Sequence, residues 1–278
     1  MIIGIIGTGV VGTAILQSFK KNDIYVITYD IKYHKKEHLI YCINKSDIIF
    51  LCLPTLYDPT RKEYNKDAIY ETCQKLVKNN YKNTVVLKST VEPGTTEQLY
   101  KKYKLNIIHN PEFLTAKSAY EDFHNQKKCY LGVPHESVND SCELVGNFYT
   151  KYYPNTEIIK CKSFESELTK IACNTFYAVK IAFFTEIYLL CKKYNSSYDT
   201  IKEYMIGNEW INPMHTCVPG HDGKVGFGGM CFPKDVSALN SFLSKNELNH
   251  SIIEACMNEN RSLRDDLHDG LTDDLNYK

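Results

Sequence analysis

The sequence predicts an α/β fold: a doubly wound parallel sheet, followed by a helical domain with one long central helix. Three observations predict it. Short apolar runs alternate with helical patterns from residue 2 to residue 160. A glycine-rich turn, Gly7-Thr8-Gly9-Val10-Val11-Gly12, follows the first run. Beyond residue 163 the short runs cease, and one apolar stretch reads as a single helix over 164–193. Strands separated by helices build a parallel sheet with both faces covered.

The elements follow in order. Residues 2–6 form the first apolar run, and an amphipathic stretch leads from the glycines to about Lys21. Further runs lie at 25–29, 47–53, 83–87, 105–109 and 129–133, with a last one at 156–160. Helical patterns lie at 66–78, 95–104 and 137–149. A Rossmann-type domain over 1–163 results, with a helical domain over 164–278. In the second domain the long helix is followed by helices near 198–205, 233–245 and 252–267. The loop 207–229 is rich in Asn, Pro, Gly and His, and the tail 265–278 is acidic, polar and expected to fray.

Composition bounds the function. With 43% hydrophobic and 24% charged residues and a formal net charge of zero, the chain is an ordinary globular protein without the basic stripe of a nucleic-acid binder. The N-terminus lacks a basic n-region, so no signal peptide is expected. The apolar stretch 171–191 carries Asn174, Lys180 and Glu186, which suits a buried helix rather than a membrane span. Eleven scattered cysteines without a CxxC pair argue against a metal site or a disulfide framework and for a reducing cytoplasm. Ten of them are expected to be packing residues.

The chemistry concentrates in five segments. In Gly7–Gly12, including Val10 and Val11 of the helix start, glycines permit a tight turn and the approach of a pyrophosphate to a helix N-terminus. Asp30 ends the next strand, where its carboxylate suits an adenosine ribose and repels a 2′-phosphate, favouring NAD over NADP. Thr90, in the turn after the run 83–87, suits a water or substrate hydroxyl, or simply a helix cap. Glu112, in Asn110-Pro111-Glu112-Phe113-Leu114, is placed for general-base work or is a loop glutamate.

Lys170 and Asn174 share one helix face. They suit an oxyanion, or Lys170 pairs with Glu167. Lys180 and Glu186 read as structural. The last segment runs from Gly226 through Gly228 and Gly229 to Cys231, Pro233, Lys234 and Asp235. It sets a thiol beside a helix start near Pro233, where the N-terminal dipole favours thiolate. Asp235 caps that helix or reaches the site, and Cys231 is read as a nucleophile.

Assembled, these segments resemble the UDP-glucose/GDP-mannose dehydrogenase family, most closely its members that oxidise UDP-glucose. The resemblance rests on residues 7–12, 88–96, 110–114, 167–180 and 226–235, in the family's order and over almost the whole chain. It implies NAD-dependent four-electron oxidation of UDP-glucose to UDP-glucuronate through a thiohemiacetal and a thioester on Cys231. Glu112 matches the base that activates water, Lys170 and Asn174 the oxyanion donors, and Thr90 and Asp235 the groups that position water and base. Glu112, Phe113, Leu114, Lys170, Asn174, Gly228 and Gly229 match the substrate-binding positions.

Related oxidation of GDP-mannose or a UDP-N-acetyl-hexosamine, and a non-catalytic sugar-nucleotide or NAD binder, are the alternatives. The chain departs from the family at three places. No second nucleotide-binding domain follows the predicted last helix, which implies a nucleotide pocket that is open or completed by a neighbouring subunit or another chain. Ala116 stands where the family has a second glutamate. The loop 215–225 is atypical, with His215, His221 and Lys224 as possible phosphate or base contacts. The family pairs subunits around its central helix, and the apolar surface of 164–193 implies a homodimer in the same way.

Overall fold

The computed structural model describes residues 1–268 together with 271–272. Of the predicted tail, residues 269–270 and 273–278 lie outside the described residues. The chain divides into two compact units. The first comprises Met1–Thr55 and Asn65–Lys170, and the second Leu56–Tyr64 and Ile171–Lys278.

The first unit is built on β1 (Ile3–Ile6), α1 (Val10–Lys21), β2 (Val26–Tyr29), α2 (Lys36–Lys45) and β3 (Ile48–Leu51). The chain leaves this unit for a small hairpin, β4 (Tyr57–Asp58) and β5 (Glu63–Tyr64), which belongs to the second unit. It returns with α3 (Asp67–Lys78), β6 (Thr84–Leu87), α4 (Thr95–Tyr103), β7 (Asn106–His109), α5 (Ala119–His124), β8 (Lys128–Val133), α6 (Asn139–Tyr152) and β9 (Glu157–Lys162). The seven long strands lie in the order β2-β1-β3-β6-β7-β8-β9. Pairing is parallel except between β7 and β8, which meet antiparallel at His109↔Gly132.

Both faces are buried, which is why β1, β3 and β6 read as continuous apolar runs. Strand side chains alternate between the faces. Ile3, Ile5, Ile48, Phe50 and Val86 join Ile15 and Phe19 of α1 and Phe148 of α6 on one side. Ile6, Ile49, Leu51, Val85 and Leu87 join Leu39 of α2, Ile69 and Leu76 of α3 and Leu99 of α4 on the other.

Helix α7 (Ser163–Lys193) carries the chain from the first unit into the second. The second unit adds α8 (Tyr198–Ile206), α9 (Phe232–Lys245), α10 (Ser251–Leu263) and a short ladder of β10 (Leu267–His268) and β11 (Leu271–Thr272). One apolar cluster joins Ala178 and Ala182 of α7 to Val236 of α9 and Cys256 of α10, and a second joins Phe184 and Cys191 to Tyr198 of α8. Helix α10 ends four residues before its predicted limit. Beyond it Arg264 turns extended, buried against Asp222 and Asp266 at 2.7 Å each. Part of the tail expected to fray is thus the ladder β10–β11. Among the described residues, no helix is long and apolar enough to cross a membrane.

Candidate active site

In the first unit, the candidate groups lie where β1, β2, β6 and β7 end at their carboxyl edges, the usual ligand side of such sheets. Gly7 holds φ +95°, and a Cβ there would lie 2.3 Å from the Cys52 carbonyl oxygen. A Cβ on Gly12 would lie 1.9 Å from the Gly7 carbonyl oxygen, so helix and turn touch backbone to backbone. Gly9 faces open space and is the N-cap of α1 without a side-chain cap, with Val10 and Val11 forming the first turn. The cradle therefore fits a pyrophosphate. Gly12→Ala is expected to cost about 1–3 kcal/mol by overpacking and to weaken NADH binding. Thermal melts and fluorescence titration would read both, and a wild-type NADH affinity would count against the close contact.

Asp30 accepts the Thr8 N–H at 2.8 Å and the Thr8 hydroxyl at 3.1 Å on one oxygen, and the Lys32 N–H at 2.9 Å on the other. Partial burial pushes this carboxyl up, but those donors and His34 outweigh it and hold it below its ordinary value. The carboxylate ties the glycine turn to the end of β2.

Glu112 is not a loose loop glutamate. One oxygen accepts the Leu114 N–H at 2.7 Å, and the other lies 3.1 Å from the Lys170 ammonium. That ammonium also sits 5.2 Å from the centre of the Phe113 ring. Glu167, the alternative partner, is engaged by other donors. Glu167 instead takes the N–H groups of Gly94 and Thr96 and the Thr96 hydroxyl, at 2.6, 2.7 and 2.5 Å, at the start of α4. Burial pushes its carboxyl up to about 7 against those donors. Thr90 is buried, and its carbonyl accepts the Thr55 hydroxyl at 2.7 Å.

Two groups here escaped the sequence reading. Lys88 is only 2% exposed and donates to Asn110 Oδ1 at 3.0 Å and to the Pro111 carbonyl at 3.5 Å, bracing the turn that carries Glu112. Burial pulls its ammonium below the usual lysine range. His109, wholly buried at the end of β7, meets the Ser166 hydroxyl at 2.7 Å. The signal for Lys88 was a charge directly after the apolar run 83–87.

In the second unit, Gly226 and Gly229 hold φ of +73° and +76°, a region open to glycine. Asn260 of α10 clamps Phe227 between them. Its amide accepts the Phe227 N–H at 2.7 Å and donates to the Phe227 carbonyl at 2.8 Å. Gly228 lies against Arg264, whose guanidinium a Cβ would approach to 2.6 Å, whereas Gly229 faces open space. Cys231 is the N-cap of α9, one residue before the helix and two before Pro233, with its side chain exposed. A thiol at that point meets the positive end of the helix dipole, which favours thiolate.

Asp235, wholly buried, is the hub of this unit. Its backbone N–H donates to the Cys231 carbonyl at 3.0 Å. One carboxylate oxygen accepts the Tyr64 hydroxyl and the Lys234 ammonium at 2.5 Å each, and the other accepts the Asn174 amide at 2.6 Å. Asn174, predicted as an oxyanion donor, thus commits one N–H to Asp235. Lys234 lies 4.7 Å from the centre of the Tyr64 ring.

In the atypical loop, His215 and Lys224 meet protein partners. His215 sits against Tyr177 and Phe232, with ring centres 4.8 and 5.3 Å away, and Lys224 pairs with Asp265 at 2.9 Å. Lys180 donates to the carbonyls of Asn212 and Met214, as a structural residue would. Among the ten cysteines expected to pack, Cys217 is exposed. Among the described residues, no group of three or more His, Cys, Asp or Glu is placed to hold a metal ion.

Two family models match the chain. Residues 36–152 match the NAD binding domain of the UDP-glucose/GDP-mannose dehydrogenase family, and residues 164–262 its central domain. The chain belongs to this family. Its NAD-binding domain takes NAD, which the cradle at Gly7–Gly12 and Asp30 fits. A UDP-glucose 6-dehydrogenase of Rickettsia bellii is 28% identical over 233 residues, 79% of this chain and 50% of that protein. The chain thus spans half the length of that relative. Among solved structures, a UDP-glucose dehydrogenase from Pyrobaculum islandicum superposes with a TM-score of 0.81 at 23% identity, covering 94% of this chain and 68% of that one. A UDP-D-ManNAc dehydrogenase from Pyrococcus horikoshii gives 0.77 at 20% identity, covering 95% and 69%. These likenesses show the fold.

Proposed function

We propose that the chain oxidises the primary alcohol of UDP-glucose to the carboxylate of UDP-glucuronate by way of covalent intermediates on Cys231. The observation that carries the reading is an exposed thiol at the N-cap of α9, one helical turn from the buried carboxylate of Asp235. NAD, when bound, supplies the hydride acceptor for both oxidations.

The chain's own residues divide the remaining work. In the first oxidation the alcohol loses a hydride and a proton, giving an aldehyde. The Cys231 thiolate adds to the aldehyde carbon, forming a C–S bond and an alkoxide that takes up a proton as the thiohemiacetal. Asn174 and the Lys170 ammonium are the donors assigned to that oxygen. Loss of a second hydride and a proton leaves a thioester. Water activated by Glu112 attacks it, the C–S bond breaks, and the acid and the thiol are released. Thr90 and Asp235 are assigned to ordering the water and the donors.

Two further parts of the reading concern the surroundings. Phe176, Phe183 and Leu190 lie seven residues apart on α7 and are 63%, 48% and 53% exposed. That apolar stripe supports a homodimer formed along α7. The eleven scattered cysteines, without a CxxC pair, support a reducing, cytoplasmic setting.

The test is stoichiometric. Purified protein with NAD and UDP-glucose is expected to form about two NADH per sugar consumed, as a four-electron oxidation requires, with UDP-glucuronate as product. NADH from GDP-mannose or a UDP-N-acetyl-hexosamine instead would reassign the substrate. No NADH from any of them would favour a binder.

A further inference from the structure

The hairpin β4–β5 touches α9 at three levels. Tyr57 shares a 2.7 Å hydrogen bond with Ser241. Near the far end, Lys245 donates to the Arg61 carbonyl at 3.0 Å and lies 3.3 Å from Glu63. At the first turn Tyr64, wholly buried, donates its hydroxyl to Asp235.

The Tyr64 contact differs in kind from the other two. It ends on a carboxylate that is wholly buried. Hydrogen bonds to such a group are the strong, charge-assisted class. Tyr64 and Lys234 occupy one oxygen, and Asn174 fixes the other. Through its backbone, Asp235 is in turn bonded to Cys231. The chain runs from Tyr64 to Asp235, and from Asp235 both to the Asn174 amide and to the turn that presents the thiol.

We infer that Tyr64 is a positioning residue for the Cys231 nucleophile, acting through Asp235. The inference rests on the reading of Cys231 as nucleophile and extends it to a residue outside the family segments identified in the sequence. Without the hydroxyl, the Asp235 carboxylate loses one of its three side-chain donors. More uncompensated negative charge then lies one turn from the thiol and disfavours thiolate. The Asn174 amide also loses part of its fixed partner.

The experiment needs neither NAD nor sugar. Iodoacetamide modification of Cys231 would be followed by mass spectrometry of its peptide in the wild type, Tyr64→Phe and Tyr57→Phe. Both variants keep the ring and delete one hairpin-to-α9 hydrogen bond, so thermal melts control for hairpin docking. Tyr64→Phe is expected to slow modification about tenfold, the scale of one hydrogen bond to a charged group, with Tyr57→Phe at the wild-type rate. An unchanged or faster rate in Tyr64→Phe, or equal slowing in both variants, would overturn the inference. A wild type that makes no NADH with the sugar nucleotides counts against the proposed reaction and leaves the labelling comparison readable.

Discussion

Cys231→Ser is expected to abolish net acid formation, with the NADH rate falling at least about a thousandfold, while NADH binding stays at the wild-type level. The size follows from the chemistry assigned to the sulfur. A serine hydroxyl at this position remains protonated at neutral pH, whereas a thiol at a helix N-terminus yields thiolate. Without addition to the aldehyde there is no thiohemiacetal to oxidise and no thioester to hydrolyse. The substitution is nearly isosteric and exposed, so stability is expected to change by less than about 0.5 kcal/mol. Large loss of turnover, intact cofactor affinity and an unmoved melting temperature are the joint signature. Turnover that survives the substitution with two NADH per sugar would remove Cys231 from the reaction.

Much of this was legible in the sequence, and the particular successes and failures have physical causes. The strands were visible because both sheet faces are covered, so Ile48–Leu51 and residues 85–87 carry apolar residues without interruption. The start of α9 was visible within one residue because Pro233 suits only a first turn. Helix α2 was not visible. Its buried residues Leu39, Cys42 and Ile43 are few, and no side chain caps it. The hairpin β4–β5 has two-residue strands, too short for an alternation to register. The antiparallel pairing of β8 with β7 left no mark, because a strand buried in either direction has the same composition.

The candidate site shows the same division. Residue types and their helical spacing were readable, as with Lys170 and Asn174. Partners distant in sequence were not. Glu112 and Lys170 are 58 residues apart, and Tyr64 and Asp235 are 171 apart. Glu167, three residues from Lys170 on the same helix, was the local choice of partner. The N–H groups at the start of α4 win Glu167 instead, because a carboxylate there satisfies donors that the helix leaves without partners.

His109 carries the second large prediction, a loss of stability in acid. It is wholly buried, with Nδ1 engaged by Ser166, and among the described residues its Nε2 lacks a well-formed hydrogen bond. Burial pulls the imidazole down to about 3, and the Lys88 and Lys170 ammonium groups push the same way, while the Ser89 carbonyl offsets them only in part. The folded value lies below the ordinary 6.5. The neutral ring therefore contributes its full stability above that ordinary value and loses it as pH falls toward 3. The ceiling is about 5 kcal/mol if each pH unit counts about 1.4.

Glu167 works in the opposite sense. With its folded value raised to about 7, its contribution is present in acid and lost as pH rises from 4.5 through 7. The two oppose each other between about 4.5 and 6.5, and below that window only the histidine loss remains. Denaturant unfolding of the wild type is therefore expected to show a shallow pH dependence near 5.5 and a steep fall below about 4.5. In His109→Gln, which keeps a polar partner for Ser166 but carries no titrating ring, the steep limb is expected to flatten by about 1 kcal/mol per pH unit. Identical slopes in the two proteins would show that the buried imidazole is not the group whose protonation limits this fold in acid.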